Sequence, residues 1–255
     1  MPLHGALQAI MMPAARFSHM LERGIRASIP LMVSHVMRND HVVDVEGGTV
    51  PGFLYLEPDL SSAYLHASSS LGATRNRFNR IVMMTSLVES NGTAAASCPR
   101  SQLAHLDARL RSEHRLGVLL GFEVEVVFMR RKPESQSSST STFTPVGHHS
   151  WCHVPAEDIE LLQIVEEVVC ALALVDAVVE KFHAEAAPGQ WEFVFSPRSP
   201  VEAVDMLLRA RDTIVTVVQQ YGIRATLHPR PSAGHPGTGA HTRKLLTFNA
   251  NPLHG

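Results

Sequence analysis

Apolar and acidic positions alternate strictly through Phe122-Glu123-Val124-Glu125-Val126, inside the run GVLLGFEVEVVFM. A period of two predicts a strand with both carboxylates on one face and the valines on the other. The flanking stretches carry a different period. Leu103, Leu106 and Leu110 recur at helical intervals in PRSQLAHLDARLRSEHRLG, with Pro99 in the first turn, where a missing N–H costs nothing. AEDIELLQIVEEVVCALAL reads as an amphipathic helix. Ser199-Pro200-Val201-Glu202 is a capping box that opens a helix running to Gln220, with Gly222 as its stop. DAVVEKFHAEA and WEFVFSP read as strands around the turn PGQ, and ATLHPRP as a further strand leading into GHPGTGAH.

Ahead of Pro99 the pattern is sheet-rich. FSHMLERG has helical spacing with a glycine stop, and IRASIPLMV, HVVDV and GFLYLEP read as strands. RFNRIVMMTSLVESNGT reads as one long buried strand ending in a turn at Asn91-Gly92. The Ser-rich RRKPESQSSSTSTFTPVGHHS reads as a disordered loop, placed at 132–150. There is no internal repeat. The elements predict an α+β chain with a boundary near Ser97: a small domain over 1–97, then a catalytic-type domain over 98–255 in which strands alternate with long helices.

A hairpin centred on Pro188-Gly189 sets Ala187 opposite Gln190, Ala186 opposite Trp191 and Glu185 opposite Glu192, with His183 on the same face. Opposed Cβ atoms lie roughly 4.5–5.5 Å apart, where like charges destabilise a sheet. Pro-Gly suits a two-residue loop poorly, but a symmetric widening keeps this register. A raised pKa on one carboxyl, an arginine neighbour or a divalent cation would each relieve the repulsion. Glu123 and Glu125 add a second pair. Carboxylates from two strands suit hard cations such as Mg²⁺ or Mn²⁺, and His241 after its Gly-rich turn completes a second ion site.

Composition narrows the function classes. The 255 residues are 45% hydrophobic and 18% charged, enough to bury a sizeable core. A net charge of -2 supplies no field for nucleic acid or anionic lipid, so neither is expected as a partner. Three widely spaced cysteines fit a reducing, cytoplasmic setting. The N-terminal run is too short and interrupted for a secretory signal, and no apolar run approaches the ~20 residues of a membrane helix. HHSWCH lacks tetrahedral ligand spacing and reads as loop.

The motifs EVE, HAEAAPGQWE and GTGAH, in that order, resemble glutamine synthetase, in particular its type I-like fungal and bacterial members, from about Phe17 to about His241. Further matches are Cys98-Pro99-Arg100, the strand motif Gly121-Phe122-Glu123-Val124-Glu125, Ala203-Val204-Asp205, and the loop from Arg230 to His241. The resemblance implies a β-grasp-like N-terminal domain followed by an incomplete β/α half-barrel. It implies that Glu125, Glu185 and Glu192 hold one Mg²⁺ or Mn²⁺, and that Glu123 and His241 belong to the other. By the same resemblance Glu180 is the nucleotide-side glutamate, Gly237 the backbone that meets substrate glutamate, and Glu185 also the acceptor at the ammonia site. The implied activity is ATP-dependent: the γ-phosphoryl group passes to the glutamate side chain, and ammonia or another amine displaces phosphate.

Arg230 replaces the family's Lys, Pro236 replaces its Asn, and Thr242-Arg243-Lys244-Leu245 departs from its pattern. Against that pattern the chain stops about halfway through the catalytic domain, ahead of the last metal-ligand Glu and the clamping arginines. The expectation is therefore a truncated chain with weak or no turnover, an exposed sheet edge, and no closed ring, although the family assembles as homo-oligomers. The alternative is a catalytically silent interaction protein.

Overall fold

A computed structural model of the chain describes residues 7–37, 41–43, 51–67, 79–132, 142–232 and 234–248. In chain order they form helix α1 (Ala14–Glu22) and strands β1 (Ala27–Pro30), β2 (Phe53–Pro58), β3 (Tyr64–Leu65), β4 (Ile81–Val82) and β5 (Thr85–Val88). Helix α2 (Pro99–His114), strands β6 (Leu116–Arg131) and β7 (Phe143–Pro145), and helix α3 (Ile159–Leu174) follow. Strands β8 (Val179–Ala184) and β9 (Gln190–Phe195), helix α4 (Pro200–Gln219), and strands β10 (Ile223–Thr226) and β11 (Ala240–Phe248) complete the order. The chain divides into two compact units: Met1–Ala63 with Met83–His114, and Tyr64–Val82 with Arg115–Gly255.

In the first unit β1, β2 and β5 form an antiparallel sheet over a small core of Leu54, Leu87, Ala95 and Cys98. The Asp59 carboxylate accepts from the Ser61 N–H and hydroxyl and pairs with Arg100, tying the end of β2 to α2. Helix α2 forms where the leucine spacing places it, yet none of its residues is buried and Leu106 is 53% exposed. The single long strand expected through RIVMMTSLV is two. Met84 N donates to Ser62 Oγ and Met84 O accepts from Asp59 N, so the chain changes partners there: β4 pairs with β3, β5 with β2. Of HVVDV, Val42 makes an isolated bridge to Val36, and 44–50 lie outside the described residues.

The second unit is built on β6. The sheet runs β10-β6-β9-β8, all neighbours antiparallel, and β7 and β11 also pair with β6. Its alternation sorts the two faces: Val124, Val126 and Phe128 join Trp191, Phe193 and Phe195 in a core closed by α3 and α4. From the helices come Val165, Val168, Leu172, Met206, Ile214 and Val217, each at most 2% exposed. Fully burying a side chain of this size contributes roughly 1.5–3 kcal/mol. The opposite face of β6 carries Glu123 and Glu125.

Helix α4 starts at Pro200 as the sequence indicates, but the capping box closes differently: the Ser199 hydroxyl donates to Glu202 at 2.5 Å and accepts no backbone N–H. Of the loop expected over 132–150, residues 133–141 lie outside the described ones, while Phe143–Pro145 extend the sheet. Thr142 O accepts from Lys132 N, and Val146 N donates to Phe128 O, which draws this segment back onto β6. Beyond the Gly-rich turn, Ala240–Phe248 forms β11, paired along β6 from Ala240–Val124 to Phe248–Leu116.

Candidate metal centre

The β8–β9 hairpin places the first carboxylates. His183 stands opposite Glu192 and Ala184 opposite Trp191, with Glu185 N donating to Gln190 O at 2.8 Å. Glu185 is therefore level with Gln190, two residues from the register expected in sequence, because the loop 186–189 widens on one side only. Gly189 sits at φ +74, and a Cβ there would meet Phe128 O at 2.4 Å, so only glycine lets the loop close against β6. A shift of two preserves facing, and His183, Glu185 and Glu192 still share one face.

Across the sheet Glu192 is paired with Glu125, and Glu123 with both Val194 and His241. Among the described residues two groups offer ligand atoms within 4.8 Å of one another: Glu123, Glu192 and His241, and His183, Glu185 and Glu192. Glu192 belongs to both. Its neighbours are close: His183 Nε2 lies 3.2 Å from Glu192 Oε1, His183 Nδ1 3.3 Å from Glu185 Oε1, and His241 Nδ1 3.1 Å from Glu123 Oε2. Glu123 and Glu192 are each 7% exposed. Burial raises the Glu192 pKa above the usual carboxylate range; Glu123, Glu185 and Glu125 push the same way, and His183 opposes them.

Glu125 stands beside these groups. Its Oε2 accepts from Gln190 Nε2 at 2.6 Å and from Gly239 N at 2.7 Å. Gly239 has to approach this closely: a Cβ there would lie 2.6 Å from Glu125 Oε1 and 3.0 Å from His241 Nε2. Gly237 is exposed, and its carbonyl accepts from Gln190 Nε2 at 3.2 Å. Glu180, also exposed, is the extra residue where the β8–β9 register shifts between Val179 and Lys181, outside both groups. Arg243 forms an ion pair with Glu123 from the neighbouring strand.

This donor set fits a hard divalent cation. Carboxylate oxygens dominate, two of the carboxylates are buried among like charges, and the Gly239 backbone leaves room that any side chain would fill. HHSWCH is engaged elsewhere: His148 N and His149 N both donate to the buried Asp158 carboxylate. Gln190, Gly239 and Arg243 are site residues that motif reading did not single out. Strand parity was a signal for two of them, since Gln190 lies two residues before Glu192 and Arg243 two after His241.

A family model described as glutamine synthetase, catalytic domain, matches residues 96–253. Protein fluG of Emericella nidulans is 33% identical over 237 residues, covering 93% of this chain and 26% of that protein. Gamma-glutamylpolyamine synthetase GlnA3 of Streptomyces coelicolor is 27% identical over 207 residues, covering 81% of this chain and 41% of its own length. A solved structure of a novel glutamine synthase homolog shares the fold with a TM-score of 0.76 at 24% identity, over 93% of this chain and 51% of that one. The chain thus spans between about a quarter and a half of the proteins it matches. Among the described residues, no helix is long and apolar enough to cross a membrane.

Proposed function

The chain belongs to the glutamine synthetase family, and from that premise we propose that it carries the divalent-cation centre of an ATP-dependent ligase. The reaction joins ammonia or another amine to the side-chain carboxylate of glutamate through an acyl-phosphate. The observation that carries this reading is Glu192, buried and shared between two groups of metal-ligand donors on one sheet face.

Glu123, Glu192 and His241 would hold one Mg²⁺ or Mn²⁺, and Glu125, Glu185 and Glu192 the other. Bound there, the cations would neutralise charge developing on the transferred phosphoryl group. The chain's own residues do the remaining work. Gln190 and the Gly239 N–H fix the direction of the Glu125 carboxylate. Glu185, at the hairpin tip, is the acceptor that favours deprotonated amine at the site. Glu180 faces the nucleotide side and the Gly237 backbone meets the acid substrate. That a gamma-glutamylpolyamine synthetase is among the relatives supports an amine wider than ammonia as the acceptor.

Two measurements test the reading. Mn²⁺ binds the wild-type chain more tightly than a Glu185→Ala, Glu192→Ala double variant in calorimetry; equal traces remove the metal centre. Phosphate release from ATP that depends on both glutamate and an amine establishes the ligase.

One observation favours a second reading, a catalytically silent interaction protein. The Arg243 guanidinium already pairs with Glu123, supplying positive charge where a cation would. Under that reading Arg243→Ala strengthens Mn²⁺ binding and the wild type releases no phosphate.

A further inference from the structure

The hairpin tip that carries Glu185 and Gln190 is held from behind by one imidazole. Gly189 N donates to His149 Nε2 at 3.0 Å, and His149 is only 2% exposed. Its ring stands edge-on to Trp191, with centroids 5.3 Å apart. The backbone that presents the ring is itself fixed, since Asp158 accepts from His148 N at 2.6 Å and His149 N at 2.9 Å just ahead of α3. A further bond, Cys152 N to Ala184 O at 2.9 Å, ties the same segment to the end of β8.

The tip in turn aims Gln190. Ala187 N donates to Gln190 Oε1 at 3.1 Å, which turns Nε2 toward Glu125 at 2.6 Å and Gly237 O at 3.2 Å. A polar chain therefore runs from Asp158 through His149 and the loop 186–189 to a carboxylate of the candidate centre. We propose that His149 is a positioning residue for that centre: its buried Nε2 is the acceptor that sets the hairpin loop and, through Gln190, the orientation of Glu125. The proposal rests on the metal-centre reading and assigns it a residue outside both groups of ligand donors.

The chemistry required of position 149 is narrow. A buried Gly189 N–H left without an acceptor costs about 1–3 kcal/mol, so the loop would move to find another partner. Accepting at Nε2 places the ring proton on Nδ1. Burial favours this neutral ring, lowering its pKa against the opposing influence of Asp158 and the Glu185 backbone. An aliphatic residue fills the volume and lacks the lone pair. Glutamine reaches a similar distance with a carbonyl oxygen.

The test compares wild type with His149→Ala, His149→Leu and His149→Gln, by amide hydrogen exchange over 185–190 and by Mn²⁺ calorimetry. In the Ala and Leu variants exchange across the loop rises at least tenfold and Mn²⁺ affinity falls about tenfold, the size seen when groups that orient metal ligands are removed. The Gln variant returns both toward wild type. Leu keeps the volume, so it carries the comparison if the Ala cavity unfolds the unit. Unaltered exchange in both Ala and Leu variants overturns the proposal, as does faster exchange with Mn²⁺ affinity retained. A wild-type chain that binds no Mn²⁺ overturns the metal-centre reading instead. The exchange data then decide on His149 as the acceptor that orders the hairpin.

Discussion

Gln190 Nε2 donates to Glu125 Oε2 at 2.6 Å across the β6–β9 pair, and the same nitrogen reaches Gly237 O at 3.2 Å. One amide thus orients a carboxylate and the loop that leads into β11. Replacing it by Gln190→Glu turns the donor into another like charge beside Glu125. The metal-free chain should lose about 1.5–3 kcal/mol, the range for hydrogen bonds to charged groups, and Mn²⁺ should recover part of the loss. Denaturant midpoints with and without Mn²⁺ decide this, and a variant as stable as wild type in chelator refutes it.

Glu192 is costly to keep in the absence of a cation. Burial raises its pKa, with Glu123, Glu185 and Glu125 adding to the effect. Glu192→Gln keeps the shape and removes the charge, so the metal-free chain should gain about 1 kcal/mol, near the upper end for like-charge contacts in sheets. Mn²⁺ affinity should fall by about tenfold or more. Opposite signs for stability and affinity are the signature, and a variant that loses both contradicts the account.

Gly239 is the close approach on the other side of Glu125. In Gly239→Ala the new methyl lies 2.6 Å from Glu125 Oε1 and 3.0 Å from His241 Nε2 unless they move. Mn²⁺ binding should weaken about tenfold, in line with other disturbances of ligand orientation. Titration calorimetry reads this directly, and wild-type affinity in the variant would show that the centre does not need the gap.

The first unit carries its own pH dependence at Asp59. The Ser61 hydroxyl bond holds this carboxyl below its ordinary range, and Arg100 adds to the effect, against a desolvation that raises it. A lowered folded pKa means stability that is complete above the unfolded value of about 3.9 and lost as pH falls through the folded one. The stability difference between wild type and Asp59→Asn should therefore be steady from pH 7 to about pH 5 and shrink below about pH 4. Urea unfolding across that range measures it, and a difference that persists unchanged in acid excludes Asp59 as its source.

Facing was legible from residues alone. A period of two puts Glu123 with Glu125 and His183 with Glu185 and Glu192, and any slip by an even number of residues preserves those partnerships. The helices were legible for a similar local reason, with leucine spacing marking α2 and Pro200 marking the start of α4. What α2 does with its leucines was not, because burial depends on partners the spacing does not name.

Register, partner choice and the pairing of β11 along β6 were settled only in three dimensions. His183 rather than Glu185 meets Glu192 because the loop 186–189 closes against Phe128 and His149, and His149 lies 40 positions upstream of Gly189. RIVMMTSLV divides into β4 and β5 because Ser62 and Asp59 capture Met84 from a distant stretch. The sequence of this chain determined the period of each element, and so which side chains share a face. Long-range hydrogen bonds chose among registers of equal parity, since a local pattern repeats every two residues and cannot tell those registers apart.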